Sequence, residues 1–346
     1  MVSRAAHANP ISIRRSSCHA LRRLQPIFAD VHDENPVRRS FRPEEVLLVA
    51  YVVVLAVTMA ATGVCHVSFF QHPRFLQVTA ALAFAVYLRA VVRAARVHPV
   101  VLALRAGVAP AAAVVRDFVS FFVGLVLYEM LHDLTPVVRP QVVDAALVAI
   151  DRAVFGVDVS HWMGRFATPA LTWVMVQCYA SYFVAPVLLA AAMYLASKRA
   201  LFREYMVSLT VVTLLGYLGY LLVPAVGPYV FQAELFPTRL PGGGAETHFF
   251  IREIDSLRGV ARDCFPSMHT AHTTIVLAFA WRFSRAAFFV YLPIALGLYV
   301  STVYLRMHYV VDVAAGFAVS ALAVALGPRL ERWWWATPDY GVGGAV

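Results

Sequence analysis

The chain has 346 residues, of which 60% are hydrophobic and only 14% are charged. Soluble domains carry about 25% charged residues, so this composition excludes an ordinary soluble protein and indicates a membrane protein. The net charge of +9 does not indicate a nucleic-acid partner, because the basic residues lie between apolar runs, as they do in membrane proteins. The four cysteines show neither a disulfide framework nor metal-ligand spacing.

The N-terminal region, residues 1–43, is polar and rich in arginine. It lacks the apolar core of a secretory signal peptide. Its composition predicts a disordered cytoplasmic tail that precedes the first apolar segment.

Apolar segments follow along the rest of the chain, and a membrane-spanning helix needs roughly 17–25 such residues. The stretch 98–115 is apolar but contains Arg105, and 142–168 has the pattern of an amphipathic or interfacial region. The segments 117–132 and 269–283 are the weakest candidates. The range is six to eight spans, and we predict eight, at about 46–65, 75–92, 117–132, 170–196, 205–223, 269–283, 286–304 and 309–327.

The positive charges predict an orientation. Arginines, and the single lysine Lys198, are concentrated before the first segment and after the second, fourth, sixth and eighth. Loops with such charges lie in the cytoplasm. His269 and His308, which open the sixth and eighth segments, are therefore expected to meet at the extracytoplasmic face, in what we expect to be the plasma membrane of a bacterium.

The first group of candidate functional residues is Cys264–His269. Pro266 resists continuation of a helix, and Ser267 is a favoured N-cap for a helix that starts next. A helix start exposes unpaired N–H groups that bind phosphate, and His269 in the first turn is placed to protonate a leaving oxygen. The alternative is a capped helix whose interfacial histidine has no catalytic role.

The second group is Arg306–Asp312. His308 and Asp312 are spaced i, i+4 and are predicted to share a helix face, so that the carboxylate orients the imidazole and leaves its other nitrogen free as a nucleophile. Asp312 lies in an apolar segment, where ionisable residues are functional by default. Arg306 is suited to bind a phosphate oxygen. The alternatives are a structural His–Asp hydrogen bond and an interfacial arginine.

Two other groups of polar residues are compatible with either a functional or a structural role. His272 lies one turn beyond His269, but the pair has no nearby carboxylate or cysteine, so we predict no metal site. The polar residues of Tyr128–Asp133 either contact a substrate headgroup or cap the end of the third segment, and we predict a cap.

These motifs resemble those of a known family. The second and third motifs of the type 2 phosphatidic acid phosphatase superfamily are similar to Pro266-Ser267-x-His269 and to Ser301 followed by His308-x-x-x-Asp312. Its inositol phosphorylceramide synthase-like (inositolphosphotransferase) branch is similar to the phrases at 151–156, 223–228 and 304–312. The resemblance covers about residues 120–328.

The resemblance implies an all-α polytopic membrane bundle, with a six-helix phosphatase-like core and about two extra N-terminal transmembrane helices. It implies that His308 takes the phosphoryl group, that Asp312 orients it, and that His269 protonates the leaving group. Ser267 is implied to help hold the phosphate. No cofactor and no metal are implied.

The chain departs from the superfamily in its cations. The first motif, a lysine followed after six residues by Arg-Pro, is absent, because neither Arg-Pro pair, at 42–43 and 139–140, has a lysine seven positions earlier. The arginine that usually follows the serine of the third motif is Thr302. These departures favour the synthase-like branch. We predict that the phosphate is bound instead by Arg306, Arg262 and Arg258.

The sequence thus predicts a membrane-embedded phosphotransferase or phosphatase that acts on a lipid phosphate through a phosphohistidine. The alternatives are a lipid phosphate or polyprenyl diphosphate phosphatase and, from another class, a non-enzymatic transporter or membrane scaffold. The expected partners are a lipid phosphate substrate and membrane lipids, while the acceptor and the oligomeric state stay open. The predicted regions are a tail at 1–43, an N-terminal transmembrane region at 44–115, a catalytic membrane domain at 116–330 and a C-terminal tail at 331–346.

Overall fold

The computed structural model describes residues 41–63, 100–242 and 261–336, with a few positions between 84 and 92. Nearly all of the predicted tail and most of the second predicted segment, 75–92, lie outside these residues. The described part of the chain is helical, and its ten α-helices are α1 (Pro43–Thr62), α2 (Val100–Val138), α3 (Asp144–Phe155), α4 (Val159–Met163), α5 (Pro169–Leu195), α6 (Arg199–Leu222), α7 (Pro228–Phe231), α8 (Met268–Phe283), α9 (Arg285–Tyr304) and α10 (Val310–Trp335).

Six of these helices are long and apolar enough to cross a membrane: α1, α2 from Pro110 onward, α5, α6, α9 and α10. The protein is therefore a multi-pass membrane protein with an all-α bundle, as predicted. The predicted segment at 269–283 is α8, a helix of 16 residues. A helix of that length is about 24 Å long, shorter than a typical hydrocarbon core of about 30 Å.

The helices α2, α5, α6, α8, α9 and α10 pack together, and α1 packs against α2 and α6. Tyr205 of α6 and Phe279 of α8 are among the largest fully buried side chains, and their ring centroids lie 5.2 Å apart. The α6 and α10 backbones approach closely at Gly327, where a Cβ atom would lie 2.6 Å from the Ser208 Cα. Only glycine fits at that contact.

The structure corrects the prediction for residues 98–138. The stretch 98–115 and the segment 117–132 belong to one continuous helix, α2, which ends at Val138. Arginine is a good helix former, so Arg105 does not interrupt it. The polar residues of Tyr128–Asp133 consequently lie within the helix and not at its end, and the predicted cap is wrong. Tyr128 instead donates a hydrogen bond to Asp263, at 2.5 Å.

The end of the bundle that lies far from the two histidines carries a network of ion pairs. Arg203 of α6 contacts Glu44 of α1 at 2.5 Å and Glu331 of α10 at 3.2 Å. Asp117 of α2 contacts both Arg42 and the guanidinium of Arg199, at 2.6 and 2.8 Å. We call these six charged residues, together with the Glu204 pairs described next, the charged end.

Glu204 of α6 completes the charged end. It accepts from Arg282 at the end of α8 and from Arg332 near the end of α10. The sequence groups the arginines of these loops on one side of the membrane, and the structure brings Arg282 and Arg332 to the same carboxylate. The charged end thus joins helices that are distant in sequence.

Candidate active site

The start of α8 forms as the sequence predicts. Ser267 is the N-cap, and its hydroxyl accepts from the Thr270 N–H at 3.4 Å and lies 3.2 Å from the Thr270 hydroxyl. The Ser267 N–H donates to the backbone oxygen of Asp312, at 3.0 Å. This bond joins the start of α8 to the first turn of α10. The two helices come close here because Gly316 packs against Ser267, where a Cβ atom would lie 2.5 Å from the Ser267 carbonyl oxygen.

His308 and His269 meet at this junction. The His308 Nε2 atom lies 3.3 Å from the His269 Nδ1 atom, and the other His308 nitrogen, Nδ1, lies 2.8 Å from the Cys264 carbonyl oxygen. A carbonyl oxygen only accepts hydrogen bonds, so the proton of a neutral His308 lies on Nδ1. The Nε2 atom therefore carries a lone pair that faces His269.

The structure corrects the geometry predicted for Asp312. His308 precedes α10, which begins at Val310, so the two side chains do not share a helix face. The Asp312 carboxylate turns back instead, accepts from the Tyr309 N–H at 2.8 Å and the Cys264 thiol at 2.9 Å, and lies 3.5 Å from the His308 Nδ1 atom. The Cys264 carbonyl and Asp312 together orient the imidazole. Burial raises the pKa of the Cys264 thiol, and the neighbouring Asp312 carboxylate adds to this.

The backbone of α9 also positions His308. The Thr302 carbonyl oxygen accepts from the N–H groups of both Met307 and His308, at 3.0 and 3.1 Å. Ser301, which carries the motif resemblance, is buried, and its hydroxyl donates to the Leu298 carbonyl of its own helix. Thr302 therefore positions the turn before His308 through its carbonyl oxygen, whereas the Ser301 hydroxyl bonds within α9.

Two acidic residues of α3 support the same turn, and sequence reasoning missed their role. Asp151 accepts from the N–H groups of Val310 and Val311, at 2.7 and 3.0 Å. Those N–H groups open α10 and have no partner within the helix. Burial raises the pKa of Asp151, although the two N–H bonds act in the opposite direction.

Asp144 lies two turns earlier on the same face of α3 and is fully buried. Its carboxylate accepts from the Tyr309 hydroxyl at 3.0 Å, and from the backbone N–H groups of Val226 and Gly227. The available signal was the spacing of Asp144 and Asp151 by seven residues, which places both on one face of a helix. That spacing is equally typical of a solvated face, and it does not reveal burial.

Aromatic rings of α5 cover His269. The ring centroids of Tyr179 and Tyr182 both lie 4.2 Å from that of His269, and Phe183 lies at 6.3 Å. His272 lies 2.8 Å from the Thr213 hydroxyl through its Nε2 atom. The aromatic wall holds the His269 ring beside His308.

Comparison with known proteins identifies the family. Residues 145–326, just over half of the chain, match the family model described as the PAP2 superfamily. The chain belongs to the PAP2 superfamily. It is also 25% identical over 201 residues to the phosphoinositol dihydroceramide synthase of Bacteroides thetaiotaomicron, a similarity that covers 51% of this chain and 65% of that protein. The aligned region thus spans less than two thirds of that relative. The family match and the similarity to this synthase agree with the predicted synthase-like branch. No solved structure shows significant similarity to the chain.

Within this PAP2 superfamily protein, Arg306 is held by the loop after α7. It has a left-handed backbone with φ of +67°, which is uncommon for a residue other than glycine. Its guanidinium lies over the Phe236 ring, 4.4 Å from the centroid, and donates to the Thr238 carbonyl oxygen at 3.0 Å. Its predicted role in binding phosphate stays a prediction.

The other two predicted cations fall before α8. Arg262 donates to the carbonyl oxygens of Arg139 and Pro140, at 2.8 and 2.7 Å. The structure therefore brings the Arg-Pro pair that follows α2 against the loop that leads to Cys264. Arg258 lies outside the described residues, and the roles of both arginines stay predictions.

Proposed function

We propose that the protein is a membrane-embedded phosphotransferase that acts on a lipid phosphate and forms a phosphohistidine at His308. The observation that supports this most directly is the 3.3 Å approach of His269 to the His308 Nε2 atom, whose lone pair follows from the bond between Nδ1 and Cys264. Membership of the PAP2 superfamily supports it independently. The fixed proton on Nδ1 leaves Nε2 as the nucleophile.

The proposed reaction has two steps. In the first, His308 Nε2 attacks the phosphorus atom, the bond from phosphorus to the leaving oxygen breaks, and His269 in its protonated form gives that oxygen a proton. In the second, an acceptor hydroxyl gives its proton to His269 and attacks phosphorus, and the phosphorus–nitrogen bond breaks. The carboxylate of Asp312 stabilises the positive charge on the His308 ring between the steps.

We infer that the transferred group is an inositol phosphate and that the acceptor is a lipid alcohol. The support is the printed name of the relative, phosphoinositol dihydroceramide synthase, and its 25% identity. The alternative within the family is a phosphatase, in which water takes the place of the alcohol on a lipid phosphate or polyprenyl diphosphate. Both reactions use the same histidine pair.

We further propose that the site faces the extracytoplasmic side of the plasma membrane. The support is the charged end, where cationic residues of the loops 198–203, 282–285 and 329–332 collect, because cationic loops face the cytoplasm. The predicted catalytic membrane domain at 116–330 contains the site and both supporting acids of α3, and we retain it as a proposal.

The test uses full-length protein purified in detergent. It is incubated with phosphatidylinositol, phosphatidic acid or a polyprenyl diphosphate, each with labelled phosphate, in the presence or absence of a lipid alcohol. We expect label to move to the lipid alcohol and to be trapped on His308 as an acid-labile adduct. Transfer of label to water alone indicates the phosphatase, and the product is then inorganic phosphate from phosphatidic acid or the diphosphate and inositol phosphate from phosphatidylinositol.

Two variants complete the test. We expect His308→Ala to abolish label transfer whether the protein is a phosphotransferase or a phosphatase. His272→Gln is the control and is expected to retain transfer, because it removes a nearby histidine that is bonded to Thr213. Transfer that persists in His308→Ala contradicts the proposed mechanism. A protein that moves no label from any donor favours the transporter or scaffold.

A further inference from the structure

A second set of chemical groups lies on the face of His308 that points away from His269. The Cys264 Sγ atom is 2.9 Å from Asp312 Oδ2 and 3.6 Å from His308 Nδ1, and the carboxylate oxygen is 3.5 Å from the same nitrogen. All three side chains are buried. The proposed transfer uses the Cys264 carbonyl but gives its thiol no reacting role.

Two of these three separations match the edges of a zinc coordination tetrahedron, and the third is shorter. Zinc–ligand bonds of about 2.3 Å to sulfur and about 2.0–2.2 Å to nitrogen and oxygen place tetrahedral ligands roughly 3.3–3.6 Å from one another. The sulfur–nitrogen and oxygen–nitrogen distances already fall at or near this range, and the sulfur–oxygen distance needs to lengthen by about half an ångström. Sulfur, imidazole and carboxylate are the donors that Zn²⁺ takes in proteins.

A second observation at the same place also indicates a ligand. Asp312 is completely buried, and within the part of the chain that the structure describes its Oδ1 atom has no hydrogen-bond partner. A buried carboxylate oxygen without a partner is unfavourable. A cation bound between Cys264 and Asp312 would compensate for it.

We propose that a thiophilic divalent cation of the zinc class binds to Cys264, His308 and Asp312 and reversibly inhibits the enzyme. This inference rests on the proposed function, because it concerns regulation of the same histidine. The ion takes the lone pair of Nδ1, so the ring proton moves by way of solvent to Nε2. The thiol proton is released to water, and one proton is lost in total.

The inhibition follows from the move of that proton. With a hydrogen on Nε2, His308 has no lone pair to attack phosphorus, whether or not substrate is bound. Without the ion, Nδ1 donates to the Cys264 carbonyl and the thiol donates to Asp312, so both protons already have acceptors. The ion must displace both bonds, and it therefore acts as an inhibitor and not as an ion needed for folding.

The first experiment measures lipid phosphate transfer against Zn²⁺ concentration for wild-type, Cys264→Ser and Cys178→Ser proteins. Each rate is normalised to that of the same variant without Zn²⁺. We expect EDTA to reverse the inhibition, and we expect Cys264→Ser to raise the half-inhibiting concentration at least about tenfold, because it removes a direct ligand. Cys178, which the structure describes as free and half-buried, is the control and leaves that concentration unchanged. Equal inhibition of Cys264→Ser and wild type overturns the proposal.

The second experiment does not depend on activity. Full-length protein in which Cys264 is the sole cysteine, with the residues at 18, 65 and 178 changed to serine, is titrated with Co²⁺. We expect the thiolate-to-cobalt charge-transfer absorption to appear, to saturate at one ion and to be displaced by Zn²⁺. No such band means that the metal site is wrong. If no lipid substrate is turned over, this titration still decides the metal site, and only the proposed function fails.

Discussion

The two ends of the bundle use carboxylates in different ways. At the active-site end, Asp144, Asp151 and Asp312 accept from backbone N–H groups, and these bonds hold loops and the start of α10 in place. At the charged end, Glu44 and Glu331 instead contact Arg203. The carboxylates of the site end therefore fix the backbone around His308, and those of the charged end join helices.

The two ends are also far apart. Asp312 and Glu331 are 19 residues apart on α10, which corresponds to about 28 Å along a helix. Substitutions at separations beyond about 10 Å have nearly independent effects. Changes at the site are therefore expected to alter the rate, and changes at the charged end the stability.

The largest expected effect is on the rate. His269→Gln removes the proposed proton donor, and general acid catalysis contributes about 100- to 10,000-fold. We expect transfer of labelled phosphate to fall by that factor, while the thermal unfolding temperature in detergent stays the same. A rate that falls less than tenfold shows that another group protonates the leaving oxygen.

The opposite result is expected at the charged end. Arg203→Met leaves Glu44 and Glu331 buried without their cation, and breaking a buried ion pair from one side destabilises by about 3–5 kcal/mol. We expect a lower unfolding temperature and an unchanged rate per folded molecule. The triple variant Glu44→Gln, Arg203→Met, Glu331→Gln removes the unpaired charges and is expected to recover part of the stability. No recovery shows that Arg203 stabilises through packing and not through charge.

Some features of the fold and of the site are predictable from the sequence. The length of the apolar segments predicted six of the eight proposed spans, because a bilayer requires that length. The segment at 269–283 is too short, and most of 75–92 lies outside the described residues. The motif around Ser267 predicted the start of α8, and the order and orientation of the segments predicted that His269 and His308 meet. The predicted helix face shared by His308 and Asp312 was wrong, since spacing alone does not show that Asp312 turns back to accept from Tyr309.

Most contacts between distant segments could not be predicted, and the meeting of His269 and His308 is the exception. Cys264 carries no metal-ligand spacing in the sequence, yet it lies beside Asp312, 48 residues later. The ion pair between Glu44 and Arg203 joins residues that are 159 positions apart. Such pairs depend on how helices pack, and a single sequence contains no record of that packing.

An intermediate effect on both properties is expected where α10 touches α8. Gly316→Ala places a methyl group 2.5 Å from the Ser267 carbonyl oxygen, and overpacking costs about 1–3 kcal/mol. We expect the rate and the unfolding temperature to fall together, because the clash separates His308 from His269. Gly124→Ala is the matched control, since its new methyl group meets its nearest neighbour, Thr213, at 3.8 Å. If the two variants behave alike, the close contact of α8 and α10 does not set the distance between the histidines.

The smallest effect is expected from Arg116→Ala, which lies at the same end as Arg203. Arg116 forms two bonds to Glu45, at 2.6 and 2.7 Å, but its side chain is 45% exposed, against 15% for Arg203. Exposed ion pairs contribute about 0–1 kcal/mol, because water screens them. We expect the unfolding temperature to change little, and the small change to vanish at high salt. If Arg116→Ala destabilises as much as Arg203→Met, burial is not what makes the charged end stable, and the pairs of that end act as one cooperative network.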